Sequence, residues 1–277
     1  MDDGKASLPA SVEKVVEGLR GRDTVPPEEV RDLLLDAPVM PEELEPWEDF
    51  DHPVNDSYGR RLAYTRSGLE VLVVSWAPGD FSAIHDHGGT QWGAVQVFGP
   101  AEHATFSIDG GELSTRSRRR LRPREVLTVS HDLVHQMGNP SGERFTSLHI
   151  YGTAAHVPSV TANARVFDPQ EQRILRVDGG VFFRLPACAI KEEEPGPLGD
   201  APTILRDLGE QIRRLARIQA ERGAHADALA SAIRRWSAML REVAAFARDQ
   251  EVDAPGTLVL NEELKAAARL QADLDAL

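Results

Sequence analysis

The sequence predicts a mainly-β protein, an antiparallel sandwich or barrel with helices at both ends. Six short segments are rich in β-branched and aromatic residues, and Gly, Pro, Asn and Asp separate them. No helix-length periodic segment lies between them, and many short strands divided by turn residues are typical of antiparallel sandwiches and barrels. The predicted strands are EVLVVSW (70–76), WGAVQVF (92–98), HATFSI (103–108), EVLTVS (125–130), TSLHIY (146–151) and GVFFRL (180–185).

Two helices are predicted ahead of the strands. SVEKVVEGL (11–19) places its apolar residues on one helical face, and Ser11 is a candidate N-cap. PPEEVRDLLLD (26–36) carries proline at its start and acidic residues in its first turn, and both features favour a helix N-terminus.

The chain changes character again after the predicted strands. KEEEPGPLGDAP (191–202) is charged and rich in Pro and Gly, which predicts a linker between a domain at 1–190 and a helical extension at 203–277. Steps of three and four residues in the extension predict amphipathic helices, the third starting near Asn261, which pack on the barrel or on a second subunit. A homo-oligomer through these helices is therefore possible. The apolar stripes are Leu205, Leu208, Ile212, Leu215 and Ile218, then Leu229, Ile233, Trp236, Leu240, Val243 and Phe246, then Leu264, Ala267, Leu270 and Leu274.

Composition narrows the classes of partner and compartment. The 277 residues carry a formal net charge of −13, which argues against nucleic acid as a main partner because phosphate binding favours a basic surface. There is no run of 18 apolar residues and no basic start followed by an apolar core, so we expect neither a membrane span nor a secretory signal. Cys188 is the single cysteine, which excludes an intrachain disulfide and favours a reducing, cytoplasmic location.

The stretch APGDFSAIHDHGGTQWG (77–93) contains the first candidate site. His85 and His87 are two residues apart, so on a strand both rings point to one face while Asp86 points to the other. A metal site also needs a third donor and a shielded interior. His131, His135 and His149 are the candidates that stand out among the remaining histidines.

The spacing of these residues resembles the motifs of the cupin superfamily. One cupin motif has Gly, five residues and then His-X-His, matched here by Gly79 and the histidine pair, and a later motif has His and then Asn, matched by His135 and Asn139. The resemblance implies that His85, His87 and His135 are metal ligands, with His131 the competitor for the third place. The glutamate that cupins offer after His-X-His is missing. Three neutral imidazoles with open positions beside them suit Fe(II) and an enzyme that binds substrate and oxygen together.

Four stretches narrow the resemblance further. YGRRL, SWAPGDFSAIHDHG, HQMGN and SLHIYG together look like the cysteine dioxygenase family of thiol dioxygenases, over roughly residues 10 to 187. The resemblance implies Fe(II) on the three histidines and a Ser–His–Tyr set behind them, here Ser147, His149 and Tyr151, which alternate along one strand. It also implies that Arg60 binds the substrate carboxylate, and it makes Tyr58 a candidate for substrate contact.

The implied reaction is the oxidation of L-cysteine by O2 to cysteine sulfinic acid, with both oxygen atoms delivered to sulfur. Arg60 would match the carboxylate with two parallel donors. Tyr151 would donate a hydrogen bond to oxygen or substrate, oriented through His149 and Ser147.

Two departures from the family leave the substrate open. Animal members of the family have a cysteine five residues after the second histidine that crosslinks to the tyrosine, and Trp92 takes that position here. Gly152 and Thr153 stand where the family has Ser-Pro. Both changes are expected in the pocket wall, so 3-mercaptopropionate or another small thiol is an alternative to cysteine. A different cupin metalloenzyme and a non-catalytic metal or thiol sensor are the rivals from other classes.

Overall fold

A computed structural model of the protein describes residues 7–53, 55–66, 68–154, 159–222, 227–248 and 254–275. The chain divides into two compact units. The first comprises Met1–Thr105, Arg118–Val166 and Leu175–Glu192, and the second comprises Phe106–Ser117, Phe167–Ile174 and Glu193–Leu277. The second unit includes two segments that precede residue 191.

The two N-terminal helices are confirmed. Helix α1 spans Ala10–Leu19, helix α2 spans Pro27–Asp36, and a short 3-10 helix follows at Pro41–Trp47. The cap predicted at Ser11 is wrong. The N-cap is Pro9, and Ser11 is the second residue of the helix. Its hydroxyl donates a hydrogen bond to Glu43 Oε2 of the 3-10 helix at 2.9 Å.

The strands in the described residues form two sheets. One has the order β1-β2-β9-β4-β7 and the other β12-β11-β10-β3-β8-β5-β6-β13. Strands distant in sequence are neighbours in both sheets, and this is the double-stranded β-helix of the cupin fold, as predicted. The strands are β1 Gly59–Arg66, β2 Leu69–Trp76, β3 Ile84–His85, β4 Trp92–Val97, β5 Glu102–Asp109, β6 Glu112–Arg120, β7 Val126–Ser130, β8 Val134–Gly138, β9 Phe145–Gly152, β10 Ala164–Asp168, β11 Arg173–Val177, β12 Ile190–Pro195 and β13 Leu198–Gly199.

Strand β2 shows how the first unit is layered. Its eight residues are all buried, because alternate side chains face two different cores. Leu72, Val74 and Trp76 face the interior of the barrel. Leu69, Val71 and Val73 face outward, where they pack in one cluster with the apolar residues of α1 and α2. The barrel interior therefore receives one of the two side-chain rows of β2, and the site lies on that side of the strand.

Two predicted segments have a different structure. Residues 180–185 form no strand, and the chain is held instead by the backbone N–H groups of Val181 and Phe183, which donate to Tyr58 Oη and Ser57 Oγ. The predicted linker 191–202 contributes to β12, β13 and the start of a helix. Its prolines and glycines are compatible with short edge strands, which need few ladder hydrogen bonds.

The second unit contains the predicted C-terminal helices, α3 Ala201–Arg222, α4 Asp227–Arg248 and α5 Ala254–Asp275. Most residues of their apolar stripes pack in a single cluster. Ile218 is buried but is not part of this cluster, and the side chain of Leu229 lies outside the described part of the chain. Helix α5 begins at Ala254 rather than near Asn261, and Phe246 is exposed rather than part of the stripe. Among the described residues, no helix has both the length and the apolar character needed to cross a membrane.

Candidate metal centre and substrate cavity

The three predicted ligands come together inside the barrel. His85 on β3 pairs directly with His135 on β8 in the antiparallel register, and His87 follows β3 by two residues. The Nε2 atoms of His85 and His135 are 3.2 Å apart, and one ring nitrogen from each of the three histidines lies within 4.8 Å of the others. All three side chains are buried. The geometry therefore offers three nitrogen donors to one point.

The partners of the outer ring nitrogens show which atoms are available. His85 Nδ1 lies 2.8 Å from the carbonyl oxygen of Ala83, and His135 Nδ1 lies 2.9 Å from Nε2 of His103. When each Nδ1 carries the proton and donates it, each Nε2 presents a lone pair. Neither ring nitrogen of His87 has a hydrogen-bond partner of normal geometry among the described residues, although the Leu133 carbonyl is near enough to affect its pKa.

Electrostatics keeps these rings neutral. Burial lowers the pKa of His85 to about 4, and burial together with the neighbouring histidines holds the pKa of His87 and of His135 well below the ordinary value of 6.5. Neutral imidazoles are the form that binds a metal. A buried, neutral cluster of three nitrogen donors, one of whose rings has no hydrogen-bond partner of normal geometry among the described residues, fits a first-row metal ion.

His131, the competing candidate for the third place, lies elsewhere. Its Nδ1 is 2.9 Å from the carbonyl oxygen of Thr90, and its ring is not part of the three-histidine cluster.

The predicted Ser–His–Tyr row is a continuous hydrogen-bonded chain on β9. Ser147 Oγ is 2.7 Å from His149 Nε2, and His149 Nδ1 is 2.7 Å from Tyr151 Oη. Trp76 extends the chain, because its indole N–H donates to Ser147 Oγ at 2.8 Å. Trp76 lies on β2, next to β9 in the sheet.

One proton arrangement satisfies every described group in this chain. The indole nitrogen can only donate, so Ser147 accepts from Trp76 and donates its own proton to His149 Nε2. His149 then donates from Nδ1 to the Tyr151 oxygen, which leaves the Tyr151 O–H free to donate into the cavity. Burial lowers the pKa of His149 to about 3, with the charge of Arg60 adding to the effect, and burial raises the pKa of Tyr151. Tyr151 is thus a neutral hydrogen-bond donor at physiological pH.

The three-histidine cluster lines one cavity together with other residues predicted to form the site, among them Tyr58, Arg60 and Tyr151. It has about 530 Å³ of empty space, including the part that opens to solvent. Its walls are largely apolar. The lining residues include the three histidines, Tyr58, Arg60, Leu72, Val74, Trp76, Asp86, Met137, His149, Tyr151, Thr161, Ala164 and Val181.

Arg60 and Tyr58 are at the cavity as predicted, each held by a contact that the sequence did not reveal. Arg60 Nη2 donates to Thr161 Oγ1 at 3.0 Å. Tyr58 Oη accepts from the backbone N–H of Val181 at 2.9 Å, and burial raises the pKa of Tyr58 to about 12.

The pocket position predicted for Trp92 is wrong. Trp92 faces the outer core of helices and sheet, and its indole N–H donates to the carbonyl oxygen of Asp23 at 3.2 Å. Gly93 is the residue that pairs with Tyr151, and a Cβ on Gly93 would lie 2.8 Å from Tyr151 Cδ1. Adjacent strand residues face opposite sides of the sheet, so a shift of one residue moves the side chain from the cavity to the outer core. Gly152 faces the indole ring of Trp92 rather than the cavity.

Sequence analysis missed four residues around the site: His103, Trp76, Glu70 and Thr161. Glu70 left a visible signal, because it is a charged residue in an otherwise apolar run, and it is 3% exposed. His103 carried no spacing relation to the other histidines. Its role depends on how β5 and β8 pair, which the local sequence does not encode.

Comparisons with known proteins give low similarities. No protein-family model matches this chain. The cupin domain of Schizosaccharomyces pombe Cnp3 is 10% identical over 35% of this chain and 65% of its own, with a TM-score of 0.30. A recombinant oxalate oxidase in complex with glycolate is 17% identical over 39% and 56%, with a TM-score of 0.32. A cupin superfamily protein from Desulfitobacterium hafniense is 14% identical over 35% and 77%, with a TM-score of 0.28. This chain therefore spans less than two thirds of the length of the first two proteins.

Proposed function

We propose that this protein is a mononuclear non-haem Fe(II) thiol dioxygenase, with L-cysteine as the substrate and cysteine sulfinic acid as the product. One observation carries the proposal. Three neutral imidazoles, a tyrosine hydroxyl with a free proton and a guanidinium group all line one mostly apolar cavity. Each of the three features matches one requirement of the reaction, namely the metal, a donor beside the reacting atoms and a group that binds the carboxylate.

His85, His87 and His135 would hold the iron. When bound there, Fe(II) favours loss of the thiol proton and brings the sulfur and O2 together. The thiolate and O2 combine without another reductant, since forming two S–O bonds uses both atoms and all four electrons that O2 accepts.

The other residues of the cavity position the substrate. Arg60 presents a charged, planar donor group to the carboxylate. Tyr151 donates its proton as a hydrogen bond beside the reacting atoms, and the chain through His149, Ser147 and Trp76 fixes its direction. The walls formed by Leu72, Val74 and Met137 exclude water, which strengthens both polar contacts.

A second candidate substrate is 3-mercaptopropionate. It has the carboxylate that Arg60 would bind but lacks the amine of cysteine. Asp86 is the one carboxylate among the described lining residues, and its oxygens already accept from the backbone and side chain of Arg165. The cavity thus has no uncommitted anionic group to bind an ammonium, and this observation makes 3-mercaptopropionate the second candidate after cysteine.

The test is oxygen uptake by the Fe(II)-loaded protein with L-cysteine, 3-mercaptopropionate and cysteamine in parallel, with the sulfinate product quantified. We expect one sulfinate for each O2 consumed, with L-cysteine preferred. Preference for 3-mercaptopropionate would support the proposed reaction and identify 3-mercaptopropionate, rather than L-cysteine, as the substrate. Bound iron with no uptake for any thiol would contradict the proposal and favour a non-catalytic sensor or another cupin chemistry.

Tyr151→Phe separates an enzyme from a sensor. The substitution removes the hydroxyl and retains the ring, so thiol binding should change little while turnover falls by about 10²-fold, a typical size for loss of one positioned donor. Equal loss of thiol binding and turnover would show that the hydroxyl serves binding alone.

A further inference from the structure

We propose that Thr161 and Glu70 determine the selectivity of the cavity for thiols that carry a carboxylate, by fixing the position of the Arg60 guanidinium. This inference rests on the proposed function, since it concerns the substrate class of the same cavity. Neither residue belongs to the motifs that point to the metal or to the tyrosine.

The three residues form a hydrogen-bonded chain across elements that are far apart in sequence. Arg60 Nη2 on β1 donates to Thr161 Oγ1 at 3.0 Å, and the Thr161 hydroxyl donates to Glu70 Oε2 on β2 at 3.1 Å. The other oxygen of Glu70 accepts from the backbone N–H of Val160 at 2.9 Å. Arg60 and Thr161 both line the cavity.

Glu70 is buried, and its burial needs an explanation. It lies in the inward-facing row of β2 with Leu72 and Val74, and it is 3% exposed. Burial of a carboxylate is costly unless hydrogen bonds and opposite charge compensate. Val160 and Thr161 supply the hydrogen bonds, and the Thr161 hydroxyl links Glu70 to the cationic Arg60.

The arrangement keeps Arg60 available for a ligand. Glu70 forms no direct ion pair with Arg60 among the described residues; the Thr161 hydroxyl stands between them. A guanidinium has five N–H donors. Among the described residues, one of these donors on Arg60, at Nη2, is used in the hydrogen bond to Thr161. The group is therefore oriented but retains free donors, which is the state required for two-pronged binding of a carboxylate.

The segment that carries Thr161 is also held against the metal-binding motif. The backbone N–H of Gly89 donates to the carbonyl oxygen of Ala162 at 3.0 Å, and a Cβ on Gly88 would lie 2.1 Å from the same oxygen. The two glycines after His85-Asp86-His87 thus permit a close approach that side chains would block. This contact fixes the distance between the guanidinium and the metal ligands, so it selects substrates whose carboxylate and thiol match that distance.

The experiment measures thiol binding without turnover. Full-length protein loaded with Zn(II) is titrated by calorimetry with 3-mercaptopropionate, which has a carboxylate, and with cysteamine, which does not. The variants are Thr161→Val, Thr161→Ser and Glu70→Gln. Thr65→Val is the matched control, because Thr65 is exposed on β1 and pairs with Glu70 in the sheet register. Thermal unfolding of each variant monitors folding.

We expect Thr161→Val to weaken binding of 3-mercaptopropionate about tenfold, the effect of losing one hydrogen bond to a charged group, with cysteamine unchanged. Thr161→Ser should restore binding because it restores the hydroxyl. Glu70→Gln should also weaken 3-mercaptopropionate selectively. Tighter binding by Glu70→Gln would overturn the positioning role, because it would mean that Glu70 acts only by opposing the charge of Arg60.

Two other results overturn the inference: equal weakening of both thiols by Thr161→Val, or no preference of the wild type for 3-mercaptopropionate over cysteamine. Failure of the proposed function has a different signature. The Fe(II) protein would then consume no O2 with any thiol, while the Zn(II) titrations would still measure whether carboxylate selectivity depends on Thr161 and Glu70.

Discussion

His87 is the residue that most strongly indicates a metal. Its ring is buried and neutral, and neither nitrogen has a described hydrogen-bond partner of normal geometry. Leaving a buried polar atom unpaired costs about 1–3 kcal/mol. The other two histidines each have a partner for Nδ1 and direct Nε2 to the same point, so a cation at that point satisfies the whole cluster.

Loss of one of the three proposed ligands should abolish stoichiometric metal binding. We expect His135→Ala to purify with little iron after loading with Fe(II), whereas His131→Ala retains the wild-type ratio of iron to protein. His131→Ala is the matched control, because His131 lies four positions before His135 and its ring is outside the three-histidine cluster. Elemental analysis of both variants makes the measurement. Equal iron content in the two proteins would contradict the assigned ligand set.

His103 supports the proposed ligand His135 without being part of the three-histidine cluster. Its Nε2 accepts from His135 Nδ1, which fixes the ring orientation and the tautomer that presents Nε2. We expect His103→Leu to weaken metal affinity about 10- to 100-fold, the usual range for partners of metal-bound histidines. Competition with a chromophoric chelator measures the affinity. His103→Gln keeps a hydrogen-bond acceptor and should recover part of the loss, whereas equal affinities for Leu and Gln would point to packing alone.

At the scale of elements, alternation along β2 and β9 builds the site. Leu72 and Val74 on β2 and Ser147, His149 and Tyr151 on β9 all point inward, while the intervening residues of both strands join the outer core. The helices α1 and α2 cover that outer core. The strands are thus buried on both faces, which holds the hydrogen-bonded chain of β9 in a rigid sheet.

The turn after the His-X-His motif leaves no room for a side chain at Gly88. Gly88 has a φ of +55°, and an added Cβ would contact backbone atoms of the segment that carries Thr161. We expect Gly88→Ala to lower the free energy of unfolding by more than about 2 kcal/mol, since left-handed strain and a clash add together. Gly21→Ala is the control, because Gly21 has a φ of +72° and no atom within 4 Å of its added Cβ. Similar losses in thermal unfolding would show that strain alone matters.

At the scale of the whole molecule, the buried histidines make stability depend on pH. The pKa of His149 is about 3 in the folded protein and near 6.5 in the unfolded chain. Between these values the unfolded state binds a proton that the folded state does not, so this group lowers stability as pH falls below 6.5 and has no effect above it. The limiting slope is about 1.4 kcal/mol per pH unit for each such group.

A paired measurement isolates this contribution. We expect the free energy of unfolding of metal-free wild type, relative to His149→Gln, to fall as pH decreases from 6.5 to 5 and to stay constant from 6.5 to 7.5. The comparison cancels groups with the opposite trend, such as Asp207, whose pKa burial raises to about 7. Urea unfolding followed by tryptophan fluorescence measures both proteins. A constant difference across the whole range would mean that His149 is not buried in its neutral form.

The sequence by itself determined the features that repeat at short range. Alternation with period two predicted that Ser147, His149 and Tyr151 share a face, and the same rule paired His85 with His87. The apolar stripes predicted the helices, and turn residues separated most of the strands. These signals are local, because a strand or helix places residues at fixed spacing on one side whatever it packs against.

Only the tertiary structure decided which distant residues meet. Strand register places His135, rather than His131, opposite His85. It also places Gly93, rather than Trp92, opposite Tyr151, because a shift of one residue along a strand moves a side chain to the other face of the sheet. The contacts of His103 with His135 and of Thr161 with Arg60 join positions 32 and 101 residues apart. Such contacts follow from the pairing order of the sheets. That order is set by the packing of the whole barrel, and no local pattern in the sequence encodes it.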